Sequence, residues 1–133
     1  MEAIIAAQIG DMEKAIRYGM AALLMDLADV GGNVKDGCHI ASMGGTWMML
    51  TYGFGGMRDD DGKLSFWPRR APEDNAIIRF PITYRGQWLQ VEIGREEVEY
   101  GLCEGELLVI HHETEEIQLT RERPTAVRPV SKR

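Results

Sequence analysis

Cysteine is nearly missing from this chain: Cys38 and Cys103 are the 2 thiols in 133 residues, they lie far apart, and neither belongs to a C-x-x-C pair. A disulfide framework and a cysteine zinc site are thereby excluded. No apolar run approaches the roughly 18 residues of a membrane span, and Met1-Glu2-Ala3-Ile4-Ile5 lacks the basic start of a secretory signal. The expectation is a cytoplasmic protein with no membrane partner. Positive charge is short as well, 15 Lys+Arg against 21 Asp+Glu for a net -6. The acidic residues crowd the second half (Glu96, Glu97, Glu99, Glu104, Glu106, Glu113, Glu115, Glu116), the wrong sign for a nucleic-acid surface. Both glycine-rich nucleotide fingerprints are missing, so no nucleotide cofactor is signalled.

What is present is an ordinary globular balance, 44% hydrophobic and 27% charged, enough for one modest domain or one domain plus part of another. After an N-cap candidate at Asp11, apolar residues recur at Met12, Ala15, Ile16, Met20, Leu23, Leu24 and Leu27. This predicts a helix of about five turns stopped by Gly31-Gly32-Asn33. Met1 to Gln8 reads as the end of an earlier helix, so the chain looks as if it begins mid-architecture. Thr46 to Tyr52 is apolar nearly all round and is expected to form a short buried helix.

From Leu64 the period changes to alternation. Strands are predicted at 64–68, 77–84, 87–93, 98–102, 107–112 and 117–120, with Arg85-Gly86 as a two-residue hairpin turn. Ile78, Phe80, Ile82 and Tyr84 would face inward against Leu89, Val91 and Ile93. Short antiparallel strands at this spacing predict a sandwich of jelly-roll type, with Arg121 to Arg133 as an extended tail. The fold class expected is therefore α+β.

Between the two halves lies Asp36-Gly37-Cys38-His39-Ile40-Ala41-Ser42-Met43-Gly44-Gly45-Thr46-Trp47. It reads as an anion-binding turn: adjacent glycines let backbone N–H groups approach a ligand, His39 adds a charge-switchable donor, and Ser42 and Thr46 add hydroxyls. By spacing alone, a helix-cap or core-edge role for His39 competes with this. His111 and His112 alternate along a strand and cannot chelate one metal together, so no metal site is expected. Asp26 and Asp29 could act as an acid pair, but their place beside Gly31-Gly32 suits turn formation better. Trp47 fits the core, whereas Trp67, before Pro68-Arg69-Arg70, is the better candidate for an exposed aromatic that stacks on sugar.

The run Asn33 to Trp47, then Tyr52-Gly53-Phe54-Gly55-Gly56-Met57-Arg58, then Gly62-Lys63-Leu64-Ser65-Phe66-Trp67-Pro68, resembles the C-terminal portion of glycoside hydrolase family 65. That family contains inverting maltose, trehalose and kojibiose phosphorylases and some hydrolases. The Tyr84-Arg85-Gly86 hairpin and Arg123 to Val130 extend the resemblance. It implies the last helices of an (α/α)6 barrel over residues 1–52, with a phosphate-loop-like turn at 36–46, and a C-terminal β-sandwich over 53–133. By resemblance His39, Ser42, Gly44, Gly45 and Thr46 would hold inorganic phosphate, the co-substrate. Cys38 and Val34 depart from the isoleucine and threonine the pattern leads one to expect.

In such an enzyme a carboxylic acid protonates the leaving oxygen while bound phosphate attacks the opposite face of the sugar. The general acid is a glutamate earlier in the barrel, and no segment here matches it. The resemblance thus implies no catalytic residue in this chain, which would be inactive alone. Its partners would be the remaining polypeptide or a second copy docked on the helices, with a disaccharide and phosphate in the complete enzyme. Two other functions stay open: a stand-alone carbohydrate- or protein-binding module, and a family 65 hydrolase that uses water.

Overall fold

The computed structural model describes residues 1–32, 34–70 and 75–131. The chain falls into two units, Met1–Phe54 and Gly55–Arg133. Asn33 and the last two residues of the expected tail lie outside the described residues.

In the first unit α1 spans Glu2–Gln8 and α2 spans Met12–Leu23. Asp11 caps α2 as its sequence position predicts: its carboxylate accepts from the Lys14 N–H at 3.1 Å and from Lys14 Nζ at 2.7 Å. The two helices bury small residues, Ala3, Ala6 and Ala7 on one and Ala15 and Gly19 on the other. Gly19 lies against the Met49 thioether, which leaves no room for a Cβ. Small residues packed under the Met49 side chain therefore replace the large-residue core that the pattern predicts. Ile16, Met20 and Leu23 stand 40%, 45% and 43% exposed and Leu27 80%.

α2 ends at Leu23, a turn earlier than expected, where the Leu24 N–H bonds Met20 O and the Met25 N–H bonds Ala22 O. The chain then turns through Asp29, with φ of 47°, and Gly32, with φ of 66°. Asp29 is the turn former: its carboxylate accepts from the Val34 N–H at 3.0 Å.

The segment read as a glycine turn is helical. A 3-10 turn at Val34–Asp36 leads to α3, Ile40–Met48, and a π-helical run follows at Met49–Phe54. The expected buried helix at Thr46 to Tyr52 thus starts six residues earlier. No residue of α3 is buried, whereas Met49, Thr51, Gly53 and Phe54 are. Ile40, Met43 and Trp47 recur at helical spacing, and that periodicity outweighs the two glycines. Thr46 Oγ1 donates back to Ser42 O at 2.9 Å, within the helix.

The second unit has strands β1 Ser65–Phe66, β2 Ile78–Tyr84, β3 Gln87–Ile93, β4 Glu97–Glu104, β5 Leu107–His112, β6 Glu115–Thr120 and β7 Thr125–Pro129. They form two sheets, β1-β5-β6 and β2-β3-β4-β7. The sandwich expected from the alternation is present. Arg85 and Gly86, with φ of 51° and 74°, make the predicted β2–β3 hairpin turn. Phe80, Leu89, Val91 and Ile93 are buried as predicted, while Ile78, Ile82 and Tyr84 are half-buried.

Two elements differ from expectation. β1 runs parallel to β5, pairing Ser65 with His111 and Phe66 with His112. The tail is a strand: β7 pairs antiparallel with β4, its two ends marked by Pro124 and Pro129. As an edge strand it tolerates proline, which lacks an N–H to donate.

Candidate functional site

His39 sits at the N-cap position of α3, with φ of -86° and ψ of 74°, and its ring makes no cap bond to the helix. It bonds Asp26 instead. Asp26 Oδ2 accepts from the His39 backbone N–H at 2.8 Å, and Asp26 Oδ1 faces His39 Nδ1 at hydrogen-bond distance. The Cys38 thiol donates to the same carboxylate at 3.3 Å. The His39 ring contact, then the backbone bond, hold the Asp26 carboxyl below the usual carboxylate range. The hydrogen bond from Cys38 to Asp26, with burial second, pushes the Cys38 thiol up. This cluster brings a turn after α2 onto the start of α3.

At about 100° per residue, Ser42 and Thr46 lie about 60° and about 20° from His39 around α3, Gly45 about 120° and Gly44 about 140°. Of the five residues singled out in the sequence, Ser42 and Thr46 thus lie on the side of His39, and the two glycines are both turned away from it. Asp26, Ser42 and Thr46, with the apolar Ala22, Leu23, Leu27 and Met43, line a cavity of about 260 Å³. In a helix interior the Gly44 and Gly45 N–H groups belong to the helix ladder, so they are not the open donors of a turn. A Cβ on either glycine would meet no described atom within 4 Å. Packing within this chain does not require them to be glycine.

The sequence treated Asp26 as a possible partner of Asp29, and the structure pairs it with His39. A carboxylate placed just beyond the last buried turn of α2, with glycines to reverse the chain, was the available signal. His111 and His112 diverge as the alternation predicts. His112 is buried, and His111 is partly exposed with its Nε2 3.9 Å from Glu116 Oε2. Trp47, expected in the core, is 44% exposed, and Trp88 is 41% exposed. Trp67 is the half-buried one of the three, reversing the expected order; it lines an open groove of about 350 Å³ with Arg58, Asp60, Asp61, Lys63, Ser65, His111 and Glu113. Among the described residues no group of three or more His, Cys, Asp or Glu could hold a metal ion. No described helix is long and apolar enough to cross a membrane.

Comparison with known proteins gives two family matches in register with these units. Residues 1–48 match the glycosyl hydrolase family 65 central catalytic domain, and residues 57–119 match the glycosyl hydrolase family 65 C-terminal domain. The α,α-trehalose phosphorylase of Thermoanaerobacter brockii is 42% identical over 118 residues, covering 89% of this chain and 15% of that protein. An uncharacterized glycosyl hydrolase of Mycobacterium leprae (strain TN) is 38% identical over 95% of this chain and 16% of its own length. A solved structure from the human microbiome, named for kojibiose phosphorylase, superimposes with a TM-score of 0.85 at 26% identity, covering 96% of this chain and 16% of that one. The chain thus spans a small part of the proteins it matches.

Proposed function

Because the chain belongs to glycosyl hydrolase family 65, we propose that it is the C-terminal part of a disaccharide phosphorylase acting on α-glucosides. Residues 1–52 would supply the last barrel helices, and residues 53–133 the β-sandwich. His39, Ser42, Gly44, Gly45 and Thr46 would serve the inorganic phosphate. The ring and hydroxyls of His39, Ser42 and Thr46 contact it, while Gly45 lets the anion come close and Gly44 lets neighbouring polypeptide approach the other side of the helix. One observation carries this reading: two consecutive helix-interior glycines, each costing roughly 0.5–1 kcal/mol relative to alanine, lie in the helix that His39 begins, with no described atom to require them.

In the reaction a phosphate oxygen attacks the anomeric carbon as the glycosidic C–O bond breaks on the opposite face. A carboxylic acid gives its proton to the departing sugar oxygen. Here the cradle orients the nucleophile and balances its charge, and the proton comes from a glutamate in polypeptide beyond this chain. Phosphate takes the part that a base-activated water plays in a hydrolase.

The complete polypeptide is expected to release glucose 1-phosphate from an α-glucosidic disaccharide only with phosphate present. Equal release of glucose without phosphate would make it a hydrolase instead, a reading favoured by the Mycobacterium leprae relative's name. Cleavage of α-glucosides by the 133-residue chain alone would overturn the half-site proposal. A binding module is the competing class, favoured by the groove beside Trp67. Its mark would be glucan binding by this chain with no response to phosphate.

A further inference from the structure

One carboxylate holds His39 at two points, the backbone N–H at 2.8 Å through Oδ2 and ring Nδ1 through Oδ1. The side chains of Asp26 and His39 are only 18% and 30% exposed. An ionised carboxylate accepts and never donates, so a ring nitrogen that faces it must carry the hydrogen. The hydrogen bonds from His39 lower the Asp26 carboxyl further and keep it ionised at neutral pH.

We infer that Asp26 is a positioning residue for the proposed phosphate cradle: it fixes His39 in the Nδ1–H form and leaves Nε2 as the ring atom that meets the anion. This rests on the phosphate reading of the site. An imidazole anchored on Nδ1 can take a proton at Nε2 and donate it in a hydrogen bond to a phosphate oxygen, with the carboxylate balancing the added charge. Ring orientation and tautomer are thereby set before phosphate arrives, so neither has to be ordered on binding.

The carboxylate's two oxygens are both needed. Asparagine at position 26 would offer one acceptor oxygen and one NH2 group to two facing donors, the backbone N–H and the Nδ1–H. The ring would then move its hydrogen to Nε2 and turn an acceptor toward the amide. Asp→Asn beside a functional histidine acts through this change of tautomer while leaving the backbone in place. Cys38 is the third donor to Asp26 and cannot replace it, because a thiol is only a weak acceptor.

The test is a two-bond 1H–15N spectrum of the imidazoles in the full chain, with H39Q to identify the resonance, followed by titration with inorganic phosphate. His112 is an internal reference. It accepts from Tyr100 Oη at Nδ1 and donates from Nε2 to Pro129 O, the opposite tautomer. His39 should show the Nδ1–H pattern, D26N should shift it toward Nε2–H, and D26E, which keeps a carboxylate, should hold it at least in part. His112 and the backbone spectrum should stay unchanged, which shows that the variants fold. Phosphate should bind D26N about tenfold more weakly, because without the carboxylate the ring meets the anion as a neutral donor and not as an imidazolium. An Nε2–H pattern in the natural chain, or a pattern that D26N leaves alone, overturns the inference. So does a flipped ring that binds phosphate as well as before, which spares the phosphate reading. If Asp26 sets the tautomer but phosphate never perturbs His39, the positioning stands and the phosphate reading falls.

Discussion

Tyr100 and His112 are joined by a hydrogen bond inside the β unit. Tyr100 Oη donates to His112 Nδ1 at 2.8 Å, and the rings meet edge-on with centroids 5.9 Å apart. His112 Nε2 in turn donates to Pro129 O at 3.1 Å, so one side chain ties β4, β5 and the end of β7 together. Burial pushes the Tyr100 hydroxyl well up and the His112 imidazole down from its ordinary value of 6.5.

Tyr100→Phe should therefore destabilise the chain by about 1–3 kcal/mol, because it leaves a buried ring nitrogen without its donor. Urea unfolding of the two proteins measures this. His112 also gives the stability a sign with pH. Its folded pKa lies below its unfolded one, so the unfolded chain binds the proton more readily. The contribution is present above the unfolded value and is lost as pH falls through the window below it. A urea midpoint that does not drop between about pH 7.5 and about pH 5.5 would contradict that assignment.

Gly44→Ala and Gly45→Ala should each raise the stability of the chain, by roughly 0.5–1 kcal/mol, since alanine suits a helix interior better. Only Gly45→Ala, beside Ser42, should also weaken the response to phosphate. Thermal unfolding together with phosphate titration separates the two effects. If both substitutions destabilise, these glycines have a packing role within the chain.

Gly56→Ala should unfold the first strand of the β unit. Gly56 has φ of 59°, and the backbone of Trp67 fills the place where a Cβ would go. Left-handed backbone alone costs an alanine roughly 1–2 kcal/mol, and the Trp67 N–H bond to Gly56 O at 3.1 Å would be displaced besides. Slowed or unchanged hydrogen exchange at Trp67 and His111 would count against this.

Cys38 should react with iodoacetamide more slowly than a free thiol at the same pH. Its hydrogen bond to Asp26 favours the protonated form, and the thiolate is the nucleophile. Asp26→Asn should speed the reaction. Equal rates in the two proteins would show that Asp26 does not govern the thiol.

The β unit was largely legible because its signals are local. Alternation placed β2 to β6, Arg85-Gly86 marked the tight turn, and adjacency alone told that His111 and His112 part ways. β7 was hidden by Pro124 and Pro129, which argue against a strand until its place on a sheet edge is known. In the helical unit Asp11 announced α2, whereas the start of α3 was obscured by Gly44-Gly45. The carboxylate that bonds the His39 N–H comes from Asp26, 13 positions away. Such a bond depends on how the chain reverses through Asp29 and Gly32, which residue spacing does not specify. The family resemblance rests on motifs that the comparisons match in both units.

The edge positions of β1 and β7 have a consequence for the order in which the β unit assembles. β2, β3 and β4 can pair as successive hairpins, but β1 waits for β5 and β7 reaches back to β4. Long loops must close before those contacts form. Synthesised from the N-terminus, the unit has the β2-β3-β4 meander early, while β1 and β7 find their partners late. Until the chain has grown past Pro129, β4 presents an unpaired edge on which a neighbouring nascent chain could add.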